Sequence, residues 1–319
     1  MKLLTFERDR TPCLGALAAD GGIVDLAARS DDPSYRSMQS LIEGGSEALS
    51  AACGLVAQAC DTLDPASVRW LAPLSCPAQI RDFLAFEDHM RIAGWHGQKL
   101  RATWGAPAAP AQPNPIPQIW FDQPIYYKGN RFAVGASGAT IQWPTDSYVI
   151  DYELELACVI GRRGRDISAA NAWDHIFGYT VFNDLTARDW QFKEMEGPFG
   201  PAKGKDFDGA NVLGPVILTA DEIGESPSLA MRATVNGELW SHGDSGTMHW
   251  SFAQLIEHAS RSETLHPGEV FGSGTVGGGC GLELGRFLKH DDVIALEIDL
   301  IGRIETRIHA PHVTERLIL

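Results

Sequence analysis

Residues 151–161 alternate acidic and apolar side chains, Asp-Tyr-Glu-Leu-Glu-Leu, before running into the apolar stretch Ala-Cys-Val-Ile-Gly. A period of two is that of a β-strand, so Asp151, Glu153 and Glu155 are predicted on one face and Tyr152, Leu154 and Leu156 on the other. Shorter strands are predicted at residues 14–17 and 22–26, joined by Ala19-Asp20-Gly21, and at residues 80–86 and 176–182. Val235-Asn236-Gly237-Glu238 has the form of a two-residue hairpin turn, and residues 293–300 and 303–308 alternate around Gly302 as a second hairpin. Helical spacing marks three stretches, besides a short helix expected after residues 162–165. These are residues 41–59, interrupted at Gly44-Gly45, then a segment after Phe86, and residues 250–259 with Phe252, Leu255, Ile256 and Ala259 inward. In the middle one Phe86, Met90 and Ala93 share a face, with His89 at its margin. The pattern predicts a β-rich α+β protein, with a small α/β domain over residues 1–75 and a larger β domain over 76–319.

The composition adds boundaries. A chain of 319 residues, 44% hydrophobic and 21% charged, can bury a large core. Its formal charge of −15 argues against wide binding of nucleic acid or anionic membrane. No apolar run is long enough to span a bilayer, and the first six residues are too short for a signal peptide. Six cysteines without C-x-x-C spacing read as buried free thiols in a reducing compartment, and so as a cytoplasmic protein. Five prolines within residues 104–118 predict a stiff surface loop.

The chemistry begins with the alternating acids. Carboxylates two apart on one strand face repel unless a hard cation lies between them, although an isolated D-x-E-x-E is more often a solvated edge. Here Asp82 and Asp184 also stand at the ends of apolar strand segments. With Glu153 and Glu155 they make an all-oxygen set for one divalent cation, whose excess negative charge Lys205 and Arg188 can balance. His89 follows Asp82 by seven residues, so strand acid and helix histidine can converge. Asp184, Arg188 and Gln191 share a face if a helix starts at Asp184; the plainer reading is an N-cap aspartate with an i,i+4 ion pair. Gly204-Lys205 fails as a P-loop, because Asp206 stands where Ser or Thr is required. Residues 272–277 match G-x-G-x-x-G, but no helix-forming run begins there, and a loop approaching a small ligand is the better reading. His242, His249 and His258 lack ligand spacing and read as structural.

Ordered motifs join these residues: D-F-x-x-x-x-x-H (Asp82, Phe83, His89), Y-x-G (Tyr127, Gly129), E-L-E-L with V-I-G, N-D-x-[ST]-A-R-D-x-Q (residues 183–191), G-K-x-F-D (residues 204–208) and S-G-T (residues 273–275). In this set and order the chain resembles the fumarylacetoacetate hydrolase family over roughly residues 75–310. The resemblance implies a mixed β-sandwich roll behind a small N-terminal domain, usually as a homodimer. It implies a cation, Mg²⁺ first and Mn²⁺ or Ca²⁺ otherwise, held by Asp82, Glu153, Glu155 and Asp184. His89 would be the general base, Arg188, Gln191 and Lys205 would hold substrate oxygens, and Tyr127, Gly274 and Thr275 would line the pocket. The implied activity is hydrolysis of a carbon–carbon bond in a 1,3-dicarbonyl or acylpyruvate, in catabolism of aromatic or related compounds. The alternative is a lyase on the same scaffold, a sugar-acid dehydratase or β-keto acid decarboxylase. Two positions depart from the family pattern. Leu84 replaces a tyrosine, and Ile92 replaces the glutamate that would orient the histidine, leaving Glu87, Asp88 and Glu283 as candidates for that task.

Overall fold

A computed structural model describes residues 1–197, 199–225 and 227–313. Among these residues the chain forms an eleven-stranded mixed sheet and a five-stranded sheet, with few helices and two short strand pairs. The main path of the large sheet runs Ile23–Asp25, Thr11–Leu17, Lys2–Arg8, Asn211–Thr219, Ile176–Asp184, Leu154–Ile160, Glu269–Gly272, Gln79–Phe83 and Tyr126–Gly129. Most neighbours are antiparallel, but Glu269–Gly272 lies parallel to Gln79–Phe83. Lys2–Arg8 pairs with Asn211–Thr219, so the first 75 residues continue the sheet of the rest of the chain.

The alternation along the acidic stretch explains the layering. Tyr152, Leu154, Leu156, Cys158 and Ile160 lie in one core cluster with Met231, Ala233, Ile294 and Leu296 of the five-stranded sheet. Ala157 and Val159 point the other way, into a cluster with Leu41 and Ile42 of the helix Met38–Ala57. Glu153 and Glu155 have the parity of that second set. Burying a leucine such as Leu154 is worth about 1.5–3 kcal/mol, so a one-residue slip that exchanged acids for leucines is strongly disfavoured.

The hairpin turn at Asn236-Gly237 is present, with both residues at positive φ, as a two-residue turn between right-twisted strands requires. Val293–Ile298 pairs with Gly302–His309 as expected, but the turn lies at residues 299–301 and Gly302 opens the second strand opposite Ile298; Phe252–Ser260 buries Phe252, Leu255, Ile256 and Ala259. The helix Met38–Ala57 is broken at Gly45, whose φ of 66° is left-handed, as the Gly44-Gly45 pair predicted.

Three expectations need correction. The acidic stretch is not one strand: Ile150–Asp151 pairs with Thr186–Ala187, and pairing with Ile176–Asp184 resumes only at Leu154. His89 is not at the margin of its helix, Glu87–Thr103, because its buried face is His89, Ala93 and Gly97, spaced at i, i+4 and i+8. Of the cysteines, Cys13, Cys158 and Cys280 are buried, whereas Cys53, Cys60 and Cys76 are exposed. No described helix is long and apolar enough to cross a membrane.

Candidate active site

Five adjacent strands bring the acids together. Register places Gly272 opposite both Ala157 and Asp82, and Asp82 opposite Tyr127, while Leu154 pairs with Asn183 beside Asp184. Asp82, Glu153, Glu155 and Asp184, all buried, consequently offer oxygens that lie within 4.8 Å of one another. A glycine is required in their midst, since a Cβ on Gly272 would stand 2.4 Å from Asp82 Oδ1 and 2.8 Å from Glu155 Oε2.

The four carboxylates are not equivalent. Glu153 accepts from Arg188 at 2.7 Å through Oε1 and from Lys205 at 2.6 Å through Oε2. Burial pushes its carboxyl up, but Lys205 and Arg188 outweigh burial and hold it well below the usual range. Asp184 Oδ2 accepts from Lys205 and, at 2.7 Å, from the Tyr127 hydroxyl. Burial first, then the charges of Asp82 and Asp184, pushes Glu155 well above its ordinary value. Burial also raises Asp184, against the pull of Lys205, and raises Asp82. Asp82 Oδ1, Glu155 Oε1 and Asp184 Oδ1 are buried oxygens to which no hydrogen bond is donated. Buried anionic oxygens without donors fit a hard divalent cation, and Mg²⁺, Mn²⁺ and Ca²⁺ all accept such a donor set.

Lys205 enters this cluster from a loop held by Glu194, whose carboxylate accepts the backbone N–H groups of Ala202, Lys203 and Gly204. Its ammonium also donates to Thr186 Oγ1 at 2.9 Å. Burial lowers the Lys205 pKa, but Asp184 and Glu153 more than reverse this, so the charge is retained. Arg188 and Gln191 lie on the buried side of the helix Arg188–Glu194, and Arg188 Nη1 donates to Gln191 Oε1 at 3.0 Å. Asp184 is not on that helix. It ends the strand Ile176–Asp184, the helix is capped by Ala187 without a side-chain bond, and both the shared-face and the N-cap readings of Asp184 give way to its role beside Lys205.

His89 Nδ1 lies 3.3 Å from Glu283 Oε2, both groups being buried. Of the three candidate partners, Glu283 is the one that reaches the imidazole; Glu87 and Asp88 instead approach Arg91. Burial pulls the His89 pKa down, and Glu283 overcomes it, leaving the imidazole above its ordinary value. Burial raises Glu283, and His89 reverses that in turn. The glycine-rich loop contributes backbone: Gly274 N–H donates to Glu155 Oε2 at 3.1 Å, and Thr275 is buried beside it. Gly274 has a φ of +78°, and a Cβ there would stand 2.3 Å from the Phe83 carbonyl oxygen.

Asp151 was missed as a functional residue. Its carboxylate accepts from Arg188 Nε at 2.8 Å and from the backbone N–H groups of Gly281 at 2.7 Å and Leu282 at 2.9 Å. It thereby ties Arg188 to the short helix Gly281–Leu284 that carries Glu283. Its place in the acid alternation was the available signal; its partners come from 37 and 130 residues away along the chain, beyond any local pattern.

The family model described as the C-terminal part of fumarylacetoacetate hydrolase matches residues 80–309. The mitochondrial oxaloacetate tautomerase fahd2 of Xenopus laevis is 34% identical over 312 residues, covering 95% of this chain and 89% of that protein. Among solved structures, the fumarylacetoacetate hydrolase of Exiguobacterium antarcticum matches with a TM-score of 0.72 and 27% identity, over 97% of this chain and 99% of that one. Maleylpyruvate hydrolase of Sphingobium sp. SYK-6, solved with manganese(II) and pyruvate, shares the fold at 21% identity and a TM-score of 0.72, over 97% and 99% of the two chains. The chain belongs to the fumarylacetoacetate hydrolase family.

Proposed function

We propose that this chain is a divalent-cation-dependent keto–enol tautomerase of oxaloacetate or a closely related 2-oxo dicarboxylate. The observation that carries the reading is the buried His89–Glu283 pair beside the carboxylate cluster, in a chain 34% identical over nearly its whole length to an oxaloacetate tautomerase. Tautomerisation needs one base that takes a proton from carbon and returns it to oxygen, and a neutral imidazole oriented by a carboxylate suits both steps. With Nδ1 turned to Glu283, Nε2 is the nitrogen that takes the C3 proton. Lys205 and Arg188, charged and buried, offset negative charge as it grows on the substrate oxygens. Gln191 orients the Arg188 guanidinium, and Tyr127 and the Gly274-Thr275 loop hold Asp184 and Glu155 in place. A cation bound by Asp82, Glu153, Glu155 and Asp184, Mg²⁺ first, would polarise the carbonyl and acidify the adjacent C–H bond.

The hydrolase expectation is the second reading, supported by the 27% identical fumarylacetoacetate hydrolase. The same His89 would then take its proton from water, which adds to a carbonyl of an acylpyruvate before the carbon–carbon bond breaks. The homodimer implied by the family is proposed alongside, with sedimentation analysis as its test.

Stopped-flow decay of enol-oxaloacetate absorbance, with Mg²⁺ and with chelator, tests the primary reading. Metal-dependent acceleration that is lost in His89→Asn is expected. No acceleration of oxaloacetate, together with release of labelled carboxylate from an acylpyruvate in ¹⁸O-water, would replace it with hydrolysis. Release of CO₂ or loss of water without label would replace both with a lyase.

A further inference from the structure

Beside the carboxylate cage lies a second cluster of different chemistry. His89, Cys280 and Glu283 are all buried, and their ligand atoms lie within 4.8 Å of one another. Cys280 Sγ is 3.5 Å from Glu283 Oε2, and His89 Nδ1 is 3.3 Å from the same oxygen. In a tetrahedral zinc site with bonds near 2.0–2.3 Å, ligand atoms stand apart by about 3.3–3.6 Å, which is the spacing of these two pairs. Glu283 Oε1 is a buried atom outside any hydrogen bond, and the His89 Nδ1 contact with Glu283 Oε2 does not reach hydrogen-bond geometry, so ligand capacity is left over at this point. The ligands come from two elements that pack together. His89 stands in the first turn of Glu87–Thr103, and Cys280 and Glu283 stand at the N-cap and third position of Gly281–Leu284.

We propose that His89, Cys280 and Glu283 form a second metal site, which takes a thiophilic divalent cation of the zinc class and silences the base when filled. The two sites divide by ligand softness. The all-oxygen cage suits Mg²⁺ or Mn²⁺, whereas a sulfur–nitrogen–oxygen set selects zinc and its analogues. Three protein ligands leave a fourth position for water. Binding needs the Cys280 thiolate, so the thiol proton is released to solvent, and the new thiolate joins the existing Glu283 carboxylate to set two negative charges against the dication. The silencing follows from the imidazole itself. A neutral ring has one basic nitrogen, and a metal on Nδ1 confines the proton to Nε2, where no second proton can be accepted. The inference goes beyond the proposed reaction and holds for any chemistry in which His89 is the base.

The test uses Co²⁺ as a spectroscopic stand-in for zinc, on the full-length protein with its cage saturated by Mg²⁺. A thiolate on Co²⁺ gives an intense near-ultraviolet charge-transfer band that oxygen ligands do not give. The wild type is expected to show this band, to lose it on addition of Zn²⁺, and to be inhibited by Zn²⁺. Cys280→Ser, which keeps a donor toward Glu283, is expected to lack the band and to need at least about tenfold more Zn²⁺ for inhibition, the scale of loss that even an outer ligand partner produces. If Cys280→Ser does not fold, His89→Asn serves in the spectroscopic arm, where titration of the band is expected to show at least about tenfold weaker Co²⁺ binding. A wild type with no charge-transfer band overturns the proposal. So does a band that persists in Cys280→Ser, which would belong to the exposed cysteines, or equal Zn²⁺ inhibition of both proteins, which would place zinc in the carboxylate cage.

Discussion

Two residues carry separable tests. His89 needs its neutral form to act, and the charge of Glu283 outweighs burial and keeps the imidazole pKa raised. The rate should therefore climb with pH through an acidic limb lying above the ordinary imidazole value of about 6.5. Glu283→Gln removes the raising charge and leaves burial, so the limb should move to lower pH while kcat falls; a limb that stays in place would exclude Glu283 as the orienting group. His89→Asn should lower kcat by roughly 10²–10⁴ without unfolding, the usual size of a general-base contribution. Asp151 tests positioning. Asp151→Asn leaves the buried Arg188 charge less compensated and removes an anionic acceptor for Gly281 and Leu282. Denaturant unfolding should register a loss of about 3–5 kcal/mol, the range for a broken buried pair. A loss below 1 kcal/mol, on the order of an exposed pair, would show that Glu153 alone holds Arg188.

At the scale of elements, the strand Glu269–Gly272 is the wedge that lets acids from both its neighbours meet. It is antiparallel to Leu154–Ile160 on one side and parallel to Gln79–Phe83 on the other, and Gly272 lies between the two carboxylates. Gly272→Ala keeps every ligand but drives a methyl group against Asp82 Oδ1 and Glu155 Oε2. Calorimetric Mg²⁺ affinity should fall about tenfold or more, as when an orienting neighbour of a metal ligand is lost. Unchanged affinity would mean that the strands shift to admit the methyl group, and that the spacing of the acids is not set by this glycine.

For the whole molecule, the acid cluster links metal, pH and stability. Glu155 and Asp184 have raised folded-state pKa values, from burial first and from neighbouring acids as well. The folded chain then binds protons more tightly than the unfolded one, so metal-free stability contributed by these groups is lost as pH rises through their folded pKa values. EDTA-treated protein should accordingly melt lower than the Mg²⁺ form, and the gap should widen from mildly acidic to neutral pH. Added Mg²⁺ at 100 times its dissociation constant should restore about 2.7 kcal/mol. Identical melting curves with and without chelator across that range would remove the cation from the cluster.

Local pattern was enough for much of this. Period-two alternation placed Glu153 and Glu155 opposite Leu154 and Leu156, because a strand turns successive side chains to opposite faces wherever it lies in a fold. The Asn236-Gly237 turn and the inward face of Phe252–Ser260 were legible for the same reason, and the ordered motifs pointed to Asp82, His89, Asp184 and Lys205. What the sequence could not determine were pairings across large separations. Glu283 meets His89 and Asp151 meets Gly281 only after the strands have taken their register. The unequal roles of the four acids were equally hidden. Glu153 is held ionised and Glu155 is pushed toward its neutral form by which charges the fold sets beside each in a buried site, and tertiary structure alone decides that.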